Sequence, residues 1–178
     1  MNRIHAFTLI EMLVTIAIVA ILAAVALPSY QSIISSGEQK AAVTALIGSL
    51  HFARSEAVKR SQAVVLCTSS DNENCTDDTL WSDGWIIFVD ADNDSDFSSG
   101  DEIIKIEQAQ GRNVAISTPS NLEKTFRYRS NGQGSTSGLF TVCDSRGSAV
   151  AKAISINATG RPQVTETDTS GGSLTCPS

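Results

Sequence analysis

The chain has 178 residues, long enough for one globular domain of ordinary size with an appendage and too short for two full enzyme domains. At 42% hydrophobic and 18% charged it is too apolar for wholesale disorder. Its 13 Lys and Arg against 19 Asp and Glu give a net charge of -6, which excludes a uniformly basic nucleic-acid binder, and its 4 Cys form no Cys-x-x-Cys pair of the kind a structural zinc site uses.

The first predicted element is an apolar helix. Met1 to Ala6 is a short polar leader carrying Arg3 and His5, and Phe7 to Leu27 reads FTLIEMLVTIAIVAILAAVAL with Glu11 as its one charge. As a helix this run is roughly 30 Å long, enough to cross the hydrocarbon core of a bilayer. Arg3 ahead of it, with no Lys or Arg again until Lys40, predicts a cytoplasmic N-terminus and an exported body. A secretory signal would be cut near the far end of its apolar core, and Ala24-Val25-Ala26 mimics such a site. A plain anchor accounts for the length but not for Glu11, because an acid inside an apolar span costs about 3 kcal/mol and is kept for a partner or a function. A third reading puts the cut between Ala6 and Phe7 and retains the whole run.

Ala6-Phe7-Thr8-Leu9-Ile10-Glu11 resembles the cleavage motif of type IV pilins and pseudopilins. The resemblance implies cleavage by prepilin peptidase between Ala6 and Phe7, N-methylation of the new terminus at Phe7, and pairing of Glu11 with the terminal amine of a neighbouring subunit. The physical logic agrees, since a buried carboxylate needs a cationic partner and a freed N-terminus supplies one. Ala6 stands where the family usually has glycine, so cleavage is expected with slower processing.

Pro28 follows the run and is expected to kink or interrupt the helix, with Gly37 as a second weak point. Beyond it Val43, Leu46, Ile47, Leu50, Ala53 and Ala57 recur at helical spacing, predicting an amphipathic continuation over 28–62. From Ala63 the pattern changes to short apolar runs separated by Gly, Ser, Asn and Asp. Strands are predicted at Ala63–Cys67, Trp85–Asp90, Glu102–Ile106, Val114–Ile116, Thr125–Arg129, Leu139–Cys143, Ala153–Asn157 and Pro162–Thr165, with Thr167–Ser173 a polar loop. The fold class expected is α+β, one long helix against a largely antiparallel sheet. The organisation is then a leader at 1–6, a membrane and filament-core helix at 7–27, its amphipathic continuation at 28–62 and an exported β-rich body at 63–178.

The body extends the resemblance. Phe52-Ala53-Arg54-Ser55-Glu56-Ala57, Trp81-Ser82-Asp83-Gly84-Trp85, Phe140-Thr141-Val142-Cys143-Asp144-Ser145-Arg146-Gly147 and Gly160-Arg161 look like the GspH/FimT/FimU group of minor pilins and pseudopilins. That resemblance implies a structural subunit that primes or caps a type IV pilus. The alternatives are a DNA-binding minor pilin for transformation and a minor pseudopilin of a type II secretion system. It implies other pilins and prepilin peptidase as partners, and a single-pass place in a bacterial inner membrane with the body in the periplasm.

An exported body makes disulfides the default for Cys67, Cys75, Cys143 and Cys176. Of the three connectivities, Cys67–Cys75 with Cys143–Cys176 closes the shortest loops. In DADNDSDFSSGD, Asp90, Asp92, Asp94, Asp96 and Asp101 occupy positions one, three, five, seven and twelve, a spacing resembling a calcium loop. Ser95 stands where that loop has glycine and Asp101 where it has a bidentate glutamate. The plainer reading is an acidic turn between two strands.

Charge is segregated: residues 61 to 104 hold no Lys or Arg, whereas Lys105, Arg112, Lys124, Arg127, Arg129, Arg146, Lys152 and Arg161 follow within 105 to 161. A basic face built from Arg161, Arg146, Lys152 and Arg129 could hold DNA phosphates. Some FimT-like proteins are similar in binding DNA through Gly-Arg-x-Arg, and here that stretch is Gly160-Arg161-Pro162-Gln163, with only the first arginine. Nothing in the sequence suggests an enzyme. Once the leader is removed His51 is the one histidine, and no nucleophile elbow or phosphate-binding glycine loop is present.

Overall fold

The computed structural model describes residues 8–76, 80–118, 122 and 124–177, with the side chains of Leu27 and Pro28 left aside. The predicted leader and the pair Ala6 and Phe7 lie outside the described residues. One helix, α1, spans Leu9–Arg60, and the chain divides into two units between Ile34 and Ser35.

In the first unit the helix opens on a reciprocal cap. The Thr8 Oγ1 accepts the Glu11 backbone N–H at 3.3 Å, while Glu11 Oε2 accepts the Thr8 N–H at 2.9 Å and its hydroxyl at 2.8 Å. Every described side chain from Leu9 to Ile34 is exposed, among them Leu9, Ile10, Leu13, Ile16, Ile21 and Val25. Among the described residues this is the one helix long and apolar enough to cross a membrane. The helical assignment runs through Pro28 and Gly37 without a break, so neither residue interrupts it as expected.

In the second unit the helix buries a narrow stripe. Ala42, Leu46, Leu50, Ala53 and Ala57 are wholly enclosed, with Val43 and Ile47 on its flank. It stops at Arg60, where Ser61 turns left-handed at φ 56° and the Gln62 N–H donates to the Ala57 carbonyl.

Among the described residues eight strands follow, one for each predicted: β1 (Ala63–Thr68), β2 (Trp85–Asp90), β3 (Glu102–Glu107), β4 (Val114–Ser117), β5 (Thr125–Tyr128), β6 (Gly138–Asp144), β7 (Lys152–Ile156) and β8 (Pro162–Thr165). They form two four-stranded sheets rather than one, ordered β3-β2-β1-β5 and β4-β6-β7-β8, with every pairing antiparallel. The two interleave along the chain, because β4 joins the second sheet before β5 returns to pair with β1.

The main core lies between the helical stripe and one face of each sheet. Val64, Leu66 and Ile87 come from the first sheet, and Phe140, Val142 and Ile154 from the second. Trp81 joins them, its ring edge-on to Phe140 at 5.0 Å and its Nε1 donating to the Leu122 carbonyl at 3.1 Å. The opposite face of each sheet carries its own cover. Val65, Cys67, Ile86 and Phe88 pack with Phe97 and Cys75, which is disulfide-bonded to Cys67. Cys143, Ala151 and Ala153 pack with Leu174 and Cys176, which is disulfide-bonded to Cys143.

Candidate functional site

The acidic run becomes the loop between β2 and β3, and its backbone shapes the carboxylates. Asn93 and Ser95 adopt φ of 66° and 72°, so Ser95 takes the left-handed conformation that glycine supplies in a calcium loop. Turning there brings a carboxylate oxygen from each of Asp90, Asp92 and Asp94 within 4.8 Å of one another. The five expected carboxylates narrow to these three. Asp101 is occupied by backbone, its Oδ1 accepting the Ala91 N–H at 2.9 Å and its Oδ2 the Ser98 N–H at 2.8 Å. Being one methylene shorter than glutamate, it closes the loop on its own backbone. Asp96 lies outside the group as well, its N–H donating to Asp94 Oδ1 at 2.8 Å.

Arg127 enters this loop from β5, where it stands opposite Val65 of β1. Its Nη1 donates to Ser95 Oγ at 3.4 Å, and its Nη2 donates to Asn93 Oδ1. Its Nε lies 3.4 Å from Asp90 Oδ2, but neither that nitrogen nor either Asp90 oxygen has a hydrogen-bond partner among the described residues. The Asp90 side chain is wholly buried, and burial pushes its carboxyl above the ordinary carboxylate range, against the pull of the Arg127 charge. Arg127 and Arg129 also line one polar cleft with Ser61, Gln62, Asp90 and Asn93.

The four bases expected to form a basic face are in different circumstances. Arg146 forks onto Asp144, its Nε donating to both carboxylate oxygens at 3.1 Å, and this pairing holds Asp144 below the ordinary range. Lys152 pairs with Glu166 across the β7–β8 edge. Arg129 and Arg161 are exposed, and neither side chain has a polar partner among the described residues. Two of the four are therefore engaged within the chain.

Gly160, which precedes Arg161, has a packing reason to be glycine. Its φ is 75°, and a Cβ there would lie 2.6 Å from the Gly132 carbonyl oxygen and 2.7 Å from the Gly134 nitrogen. Its carbonyl accepts the Tyr128 hydroxyl at 3.0 Å, while Arg54 of α1 donates to the carbonyls of Gly132 at 3.0 Å and Thr159 at 3.3 Å. The Phe52-to-Ala57 and Gly160-Arg161 segments thus meet through Arg54 at two adjoining turns. Sequence reading overlooked Arg127 as a loop partner and Arg54 as a turn clamp, and only the strand pairing brings either to its place.

Glu11 is exposed on the apolar helix, with Thr8 as its hydrogen-bond partner among the described residues. His51 is exposed on the same helix.

Comparison with known proteins agrees with this architecture. Residues 1–27 match the prokaryotic N-terminal methylation motif, and residues 42–160 match the family described as type II transport protein GspH. No curated protein matches the chain. Two crystal structures of the type IV minor pilin FimU of Pseudomonas aeruginosa strain PAO1 have the same fold. The form in space group P21 gives a TM-score of 0.57 at 22% identity, covering 73% of this chain and 90% of that one. The P65 form gives 0.52 at 23% identity, covering 71% and 91%. The GspH match takes in the buried helical stripe and seven of the eight strands, and on that ground the chain belongs to the GspH family of minor pilins and pseudopilins, whose members are structural subunits.

Proposed function

We propose that this protein is a minor subunit of a type IV pilus, held in the inner membrane by its N-terminal helix until it enters a filament near the tip. The observation that carries this reading is the exposed apolar surface of Leu9 to Ile34, interrupted by the single carboxylate of Glu11. Such a surface needs lipid first and neighbouring helices afterwards, and the carboxylate needs a cation in either setting. Cleavage between Ala6 and Phe7 supplies one, as the N-methylated amine of Phe7 in the next subunit. Glu11 then fixes the axial position at which two helices pack. Mass spectrometry of protein from the native host is expected to give a mature chain beginning at N-methylated Phe7.

Glu11→Ala is expected to leave the amount of protein in the membrane fraction unchanged and to reduce its recovery in sheared filaments at least several-fold. Normal recovery of the variant would overturn the registry role. The same geometry serves a secretion pseudopilus, and the readout separates the two: loss of pili supports the pilus reading, whereas intact pili with failed protein secretion supports the other. A DNA-receptor role draws less support, because Arg146 and Lys152 are paired with Asp144 and Glu166.

A further inference from the structure

The loop between β2 and β3 contains a buried carboxylate that the protein answers only in part, through the Arg127 charge and the nearby backbone amides of Asn93 and Ser95. Asp90 is 1% exposed, and both of its carboxylate oxygens lack a hydrogen bond among the described residues. A buried carboxylate in that condition is strongly unfavourable unless it is neutralised by a proton or a cation. Arg127 is the nearest cation, yet its Nε sits 3.4 Å away outside hydrogen-bond geometry, while its Nη atoms are turned to Asn93 and Ser95. The guanidinium therefore braces the loop through Asn93 and Ser95 without completing the coordination of Asp90. The loop also places one oxygen each of Asp92 and Asp94 within 4.8 Å of one Asp90 oxygen and of each other. Both of those side chains are open to solvent.

We infer that Asp90, Asp92 and Asp94 hold one calcium ion at the β2–β3 loop. Three hard, anionic oxygens at this spacing suit a cation that takes six to eight oxygen ligands at 2.3–2.6 Å, with water filling the open side. Asp90 is the interior anchor, and the exposed pair close over the ion from outside. Magnesium suits the arrangement less, since it demands near-ideal octahedral geometry that three carboxylates on one irregular loop do not impose. The positive charge of Arg127 close by weakens affinity, placing the site in the range of extracellular modules, with half-saturation between about 0.1 and 1 mM. Phe97, two residues beyond Ser95, packs edge-on to Phe88 at 5.3 Å, so an ordered loop also fixes the cover over the outer face of the first sheet.

The test uses the full-length chain in detergent micelles, stripped with a chelator and titrated with calcium chloride by calorimetry. The expected result is one ion per chain in that affinity range and a raised melting temperature, with neither effect reproduced by sodium chloride at matched ionic strength. Asp92→Asn combined with Asp94→Asn is expected to weaken binding at least ten-fold. Both residues are exposed and outside the core, so the double variant should melt no lower than the parent in chelator. Asp96→Asn removes a loop charge outside the group and should change the affinity less than two-fold. No saturable binding up to about 10 mM, ten times the weak end of the range, overturns the assignment. So does an equal loss in Asp96→Asn, which would indicate diffuse attraction to an acidic loop.

Discussion

Two aspartates end strands of different sheets, both with wholly buried side chains and both beside an arginine, yet their carboxyls are shifted in opposite directions. Asp144, at the end of β6, receives the fork of Arg146 and is held below the ordinary carboxylate range. Its contribution is therefore present above its unfolded value of about 3.9 and is lost as the pH falls through its native value. Asp144→Asn should lower stability by about 2 kcal/mol at neutral pH, the scale of a charged hydrogen bond. The gap to the parent should close on acidification below about pH 4, as followed by denaturant melts across a pH series. Asp90, at the end of β2, lacks the fork and is pushed upward by burial, so its ionisation weakens folding as the pH rises. Glycine positions give a second contrast. Gly147 has φ 84° in open space, so Gly147→Ala should cost only the left-handed penalty of about 1 kcal/mol. Gly160→Ala adds a collision with the backbone of the 132–134 turn and should cost about 3 kcal/mol by chemical denaturation.

At the scale of elements, each disulfide fastens the cover of one outer face. The Cys143–Cys176 bridge spans 33 residues and the Cys67–Cys75 bridge 8, so loop-closure entropy assigns them about 4 and about 2.5 kcal/mol. Converting Cys143 and Cys176 to alanine should thus destabilise more than converting Cys67 and Cys75. Limited proteolysis should then cut first within 167–175, where Leu174 no longer stays seated. The strands were largely legible in the sequence, since short apolar runs between Gly, Asn and Asp bound them well; β2 and β8 end where those signals place them. Their division into two sheets was not legible. Period-two alternation states which face of a strand is apolar, not which strand lies beside it. The continuous apolar stretch of β1 did hint at burial on both faces. The same limit governs the candidate site. The acidic spacing stands in the sequence, whereas Arg127 reaches Asp90 only because β5 crosses to pair with β1. Pro28 does not end the helix, since proline removes one donor and the helical assignment continues past it.

For the whole molecule, every buried residue described lies at or beyond Ser35, within the second unit. Removing residues 1–34 should therefore leave the melting temperature and near-ultraviolet circular dichroism of the remainder unchanged; a clear fall in either would show that the core depends on the missing segment. The folded body relies on covalent closure in a different way. With both bridges open, the covers over Phe88 and Ala153 are free to lift, and the body then offers two adhesive faces in place of a polar exterior. Oxidation state and stickiness are in this way the same variable. A chain whose bridges have not yet closed is thereby distinguished from the finished body by its own surface.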